Sequence, residues 1–139
     1  QQIDACVGGK SDPIQGPPVD MTARVMALSA GDFTYDGPML AGLTGNMGRS
    51  AWLQQEGVSV VVVTAGEQPF CRAFARTLGL ECEQMKYIAL KSAAHFRASF
   101  EKFAGAIINV DARAIQTHDF AQLKYHKRHR KFFPVELTS

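Results

Sequence analysis

Tyr87-Ile88-Ala89-Leu90-Lys91-Ser92-Ala93-Ala94-His95-Phe96-Arg97, continued through Phe100 and Phe103 to Ala106-Ile107-Ile108-Asn109-Val110-Asp111, is the stretch whose reading decides the fold. Its two apolar runs, 87–90 and 106–110, have the length of strands and do not alternate polar with apolar residues, which predicts strands buried on two faces. Between them Phe96, Phe100 and Phe103 recur at i, i+4 and i+7, one stripe of a helix, with Arg97, Glu101 and Lys102 on its other side. A strand, helix and strand of this length is a βαβ unit. Its crossover is expected to be right-handed and its strands parallel, so the turn after Leu90 falls at the carboxyl end of the first strand, where open α/β sheets bind ligands.

That turn carries Lys91, Ser92, His95 and Arg97. Ser92 has the chemistry of an N-cap, and the N–H groups behind it, with the positive end of a helix dipole, would favour an anion above the strand. The alternative is structural: Ser92 only caps the helix, while Lys91 and Arg97 are solvated.

Outward from this unit, residues 68–78 predict a helix with Phe70, Phe74 and Leu78 on one face, Arg72 and Arg76 on the other, and Gly79 at its C-terminal end. Ser50 to Gln54 and Val58 to Val63, joined by Glu56-Gly57, predict a hairpin whose second strand is central. Val19 to Ala27 alternates as a half-buried strand, and turns around Phe33 to Tyr35 predict an antiparallel meander. Gly8 to Pro13, continuing to Gly16-Pro17-Pro18, and the segment 42–48 read as glycine-rich loops. Beyond Asp111 the signals weaken to a helical turn near Thr117 to Phe120 and an apolar closing segment at Phe132 to Val135. The fold class expected is therefore α/β: a mixed sheet with an antiparallel hairpin region at the N-terminal side and a β-α-β-α-β half at the C-terminal side, in one domain spanning residues 1–139.

The 139 residues suffice for a core, with ordinary fractions of apolar and charged residues. There is no apolar run of membrane-spanning length and no basic, apolar signal start, so a cytoplasmic protein with no membrane partner is expected. The start at Gln1, running into Gly8-Gly9-Lys10, marks the sequence as an expected fragment of a longer polypeptide. Cys6, Cys71 and Cys82 are odd in number and lack a CxxC pair, which predicts small buried hydrophobes. Five of the fifteen basic residues lie between Lys124 and Lys131, a span without acids; the rest of the chain has ten bases against thirteen acids, a net charge of −3.

Several motifs fail on spacing. Gly42 and Gly48 have five residues between them, Arg49 stands where a phosphate loop has Lys, and a strand follows rather than a helix. His126 and His129 sit among cations with no Cys, Asp or Glu beside them, so a metal site is not expected in this chain. The basic run lacks interleaved stacking aromatics, which argues against a nucleic-acid partner. No nucleophile is paired with His and acid, and the chain by itself is not expected to be catalytic.

Three strings together, Lys91-Ser92-Ala93-Ala94-His95-Phe96-Arg97-Ala98, Gly37 to Leu43 with Asn46-Met47-Gly48-Arg49-Ser50-Ala51, and Ile107-Ile108-Asn109-Val110-Asp111-Ala112, resemble the C-terminal domain of the MlrC family, the M81 metallopeptidase-like hydrolases. The resemblance covers nearly the whole chain. It implies a zinc hydrolase of peptide or amide bonds whose metal ligands, an Asp and two His, come from an N-terminal domain of the same polypeptide. The cofactor expected is thus zinc in the full-length protein and none in this chain. This chain then walls the cleft for a peptide-like substrate, with Lys91, Ser92, His95 and Arg97 as the substrate-facing residues; a homo-oligomer is left open. Arg113-Ala114, where relatives often carry Pro-Gly, and the His residues of the basic tail depart from the family pattern. The alternative from another class is a free-standing module binding nucleic acid or an acidic partner through residues 124–131.

Overall fold

The computed structural model describes residues 1–10, 16–110, 120–127, 129–131 and 133. Its strands are β1 (Gln2–Val7), β2 (Val19–Ser29), β3 (Asp32–Thr34), β4 (Thr44–Asn46), β5 (Ser50–Gln55) and β6 (Val58–Val63), and its α-helices are α1 (Ala73–Arg76) and α2 (Arg97–Phe100). Four strands make an antiparallel sheet in the order β1-β2-β5-β6, while β3 and β4 form a separate two-stranded ladder.

Residues opposite one another in an antiparallel pair share a face. Ile3, Ala5 and Val7 stand against Ala23, Met21 and Val19, Val25 against Leu53, and Leu53 and Ala51 against Val60 and Val62, so one face of the large sheet is apolar across all four strands. Ala23 and Leu53 are buried at its centre. The other face is polar: Thr22 donates a hydrogen bond to Asp4 (2.8 Å) and the Trp52 indole N–H donates one to Ser59 (3.0 Å). Glu56 (φ 47°) and Gly57 (φ 84°) supply the two positive φ angles of a two-residue hairpin turn between β5 and β6.

A second cluster gathers around the small ladder and α1. Phe33, Tyr35, Met47, Phe70, Cys71, Ala73 and Phe74 pack together, with Tyr35 stacked on Phe70 at 5.2 Å and Phe33 tilted against Phe74 at 4.6 Å. Phe70, Phe74 and Leu78 are buried as their spacing predicts, although the regular helix is one turn long. Gly79 (φ 79°) ends it: the Gly79 N–H donates to Arg76 O and the Leu80 N–H to Ala75 O, the two bonds of a Schellman cap. Gly45 lies against the Phe33 ring, where any Cβ would meet Cζ at 2.5 Å, so β4 runs through a stretch that composition alone marks as loop.

Four expectations are corrected. β6 is an edge strand, not a central one, because a run of β-branched residues favours strand at either place and Val58, Val61 and Val63 are exposed. The segment 42–48, expected to be loop, contains β4, since its Gly45 is what the close approach of the Phe33 ring requires. Cys6 is exposed, since the Ile3, Ala5, Val7 alternation of β1 puts it outward opposite Asp20, while Cys71 and Cys82 are buried. The β-α-β-α-β half is not formed: neither 87–90 nor 106–110 is a strand, and α1 and α2 have four residues each. A parallel strand buried on two faces needs a neighbouring strand and helices on both sides, which the described residues do not supply. What stands is a broadly α/β chain with little helix. The helical turn forms at Phe120–Gln122 as a 3-10 turn; its start at 117–119, and the closing segment apart from exposed Phe133, lie outside the described residues.

Arg76 ties the layers together through Asp36 (2.8 Å), Glu81 (3.1 Å) and Glu83 (2.8 Å), and Arg72 pairs with Glu83 as well. Its own backbone N–H, then the two guanidinium groups, hold the Glu83 carboxyl below its usual value of 4.5. An acid with a depressed folded pKa stabilises above its unfolded pKa, and that contribution is lost as pH falls through the folded value. Glu83→Gln is therefore expected to lower the melting temperature at neutral pH, with the gap to wild type closing below the ordinary glutamate range. Equal melting temperatures at neutral pH would show the cluster to be energetically idle.

Among the described residues no helix is long and apolar enough to cross a membrane.

Candidate functional site

Phe70 is anchored in the aromatic cluster, and its N–H donates to Gln68 O (2.9 Å), which leaves the Gln68 side chain at the surface just ahead of α1. From the segment before α2, Ser92 and His95 reach the same point. The Gln68 amide N–H donates to the Ser92 hydroxyl (3.1 Å), and Gln68 Oε1 lies 3.1 Å from His95 Nδ1. An amide oxygen only accepts, so this arrangement puts the proton of a neutral imidazole on Nδ1 and leaves the lone pair on Nε2. The His95 ring also stands edge-on to Phe70, 6.5 Å between centroids at 85°. An exposed histidine is thereby held in one orientation by a core aromatic ring and one bridging amide. Chemically the group can accept a proton or hydrogen bond at Nε2 and present a hydroxyl beside it.

The four residues singled out from the sequence divide. Ser92 and His95 meet through Gln68. Lys91 lines a different feature, an open trough of about 1100 Å³ over the apolar sheet face, shared with Lys10, Arg49, Leu28 and Val63. Arg97 turns along its own helix: Nη1 reaches Glu101 Oε1 and Nη2 reaches Asn109 Oδ1, both at 3.4 Å, and the guanidinium lies 5.5 Å from the Phe96 ring centroid. Ser92 is not the N-cap expected of it. Phe96 holds that position without a side-chain cap bond, because a turn at residues 95–96, closed by the Arg97 N–H donating to Ala94 O (3.1 Å), leads into α2, and α2 is too short to sum a dipole. The anion-site geometry drawn from a helix start therefore does not hold.

Gln68, the bridge, reads in the sequence only as the start of a helix. Its partners lie 24 and 27 residues further along the chain, a separation that no local pattern encodes. Among the described residues no group of three or more His, Cys, Asp or Glu is placed to hold a metal ion. His126 and His129 are exposed on the basic tail, away from His95 in sequence. Burial pushes the Cys71 and Cys82 thiols up from their ordinary value, away from thiolate nucleophiles.

The model of the MlrC C-terminus family matches residues 1–127, and the chain belongs to that family. It is 28% identical over 130 residues to Microcystinase C of Sphingomonas sp., an alignment covering 94% of this chain and 24% of that protein. The crystal structure of a "Putative metallopeptidase" from Mesorhizobium sp. BNC1 superposes with a TM-score of 0.76 at 25% identity, covering all of this chain and 28% of the other. The chain thus spans about a quarter of the length of these relatives.

Proposed function

We propose that this chain is the C-terminal, substrate-shaping domain of a zinc-dependent hydrolase of peptide or amide bonds, and that it is not catalytic by itself. The observation that carries the reading is the match of nearly the whole chain to about a quarter of Microcystinase C and of a protein described as a metallopeptidase. The described residues offer no ligand set and do not themselves fit the metal. Zinc belongs, in this reading, to the N-terminal domain of the same polypeptide, where it would supply Lewis-acid chemistry. This domain contributes side chains that orient a peptide-like substrate: His95 Nε2 and the Ser92 hydroxyl, both positioned by Gln68.

In the natural polypeptide that carries this chain, His95→Ala and Gln68→Ala are expected to lower kcat/KM on a susceptible linear peptide by about tenfold to a hundredfold. Zinc content and melting temperature should stay unchanged. Gln68→Glu, which keeps the acceptor for His95, should lose less. Arg97→Ala should cost less than His95→Ala, because its guanidinium is engaged with Glu101 and Asn109. Unaltered kcat/KM in both His95→Ala and Gln68→Ala would remove this site from the reading, and absence of chelator-sensitive peptide or amide hydrolysis would remove the reading itself.

A second reading keeps the chain as a binding module for nucleic acid or an acidic partner. It is supported by Lys124, Lys127, Arg130 and Lys131, which are exposed and make no ion pair with an acid among the described residues. A nucleic-acid affinity that falls steeply with salt and vanishes on neutralising these four would favour it.

A further inference from the structure

Two apolar runs flank the candidate site, and among the described residues neither pairs its backbone with a strand; their side-chain contacts include Asn109 with Arg97 and Tyr87 with Lys86. Residues 87–90 and 106–110 lie immediately before and after the segment that carries Ser92, His95 and α2. Tyr87 is 81% exposed, and Ile108 and Val110 are each 80% exposed. Among the described residues neither run belongs to a strand, and neither makes a backbone hydrogen bond. Large apolar side chains held in water are costly, and that cost is removed when such a run joins a sheet, where its main-chain groups exchange water for strand partners.

We infer that these two runs form a docking surface, and that its occupant is the companion region that makes up the other three-quarters of its relatives, which adds strand edges to 87–90 and 106–110. The inference rests on the domain reading above and deepens it. What favours this occupant over a second copy of the chain is length: the relatives carry about 72–76% of their chain outside the matched part. The pattern of the runs favours a sheet over a loop contact, because runs without polar alternation suit strands covered on both faces, and among the described residues Tyr87, Ile108 and Val110 stay exposed. The consequence is local. Pairing on both sides of the segment 91–105 would clamp Ser92, His95 and the start of α2 between two fixed strands, so the site's geometry would be completed by docking.

The test compares backbone hydrogen exchange in the 139-residue chain with exchange in the natural polypeptide that carries it. In the chain alone, amides of 87–90 and 106–110 are expected to exchange as fast as in an unstructured peptide; in the polypeptide they should slow by on the order of a hundredfold or more. Ile108→Asp should abolish that slowing and lower the polypeptide's melting temperature, yet leave the melting of the chain alone unchanged. Equal exchange in the two samples, or an Ile108→Asp loss in the chain alone, overturns the inference. Slowing that arises in the chain alone with formation of a dimer by light scattering also overturns it, in favour of self-association. A polypeptide that shows the slowing but hydrolyses no peptide or amide would refute the functional reading while leaving the docking surface standing.

Discussion

Phe74→Ala is expected to destabilise the chain by about 3–5 kcal/mol, the cost of removing a buried aromatic ring and leaving the space unfilled. Phe74 is buried where α1 meets the small ladder, and its ring contacts Phe33 at 4.6 Å and Tyr35 and Phe70 at 6.3 Å each. These neighbours are themselves rigid aromatics held by one another, so the cavity cannot collapse by a side-chain swing. For a domain whose whole stability is about 5–15 kcal/mol, the loss is a large share. Because Phe70 also orients His95, the site should loosen in the same variant. Urea unfolding followed by circular dichroism reads the effect; a loss under about 1 kcal/mol would show that the aromatic cluster is not a core.

Gly31→Ala is the second large effect, and its cause is backbone against backbone. Gly31 has φ of 90°, and a Cβ there would lie 2.0 Å from Gly48 O and 2.8 Å from Gly48 C and N. The approach is fixed from both sides: the Met47 N–H donates to Gly31 O (2.9 Å) and the Gly31 N–H donates to Ser29 Oγ (3.0 Å). Strain at positive φ and overlap with a main-chain carbonyl that cannot rotate away combine to about 3 kcal/mol or more. Gly57→Ala supplies the control, since φ there is 84° but nothing lies within 4 Å of the added methyl. It should cost only about 1–2 kcal/mol. Equal losses in the two variants would mean that the crossing of the 29–31 and 46–48 segments contributes nothing.

The parts of the fold that were legible in the sequence are those fixed by short-range periodicity. The alternation from Val19 onward, the Glu56-Gly57 turn and the Phe70, Phe74, Leu78 stripe with its glycine stop all encode structure within a dozen residues. What was not legible depends on partners far along the chain. Whether Val58 to Val63 is central or edge is decided by what lies beyond it, and whether 87–90 becomes a strand is decided by the presence of a neighbour. The site shows the same division. Ser92 and His95 could be picked out as chemically able residues beside a fold landmark, but the amide that joins them comes from Gln68, and Arg97 is drawn instead to Glu101 and Asn109.

The outer edge of β6 has a practical consequence for handling the chain. Val58-Ser59-Val60-Val61-Val62-Val63 has no charge and no proline, and at the border of the sheet no strand among the described residues pairs with the outer row of its main-chain donors and acceptors. Such an edge is a template for cross-β stacking. Fibrous aggregation nucleated at this strand is therefore the expected outcome in concentrated solutions of the chain, read by thioflavin T fluorescence against concentration. A lysine at position 61, on the polar face opposite Trp52, is the gatekeeper that this edge lacks.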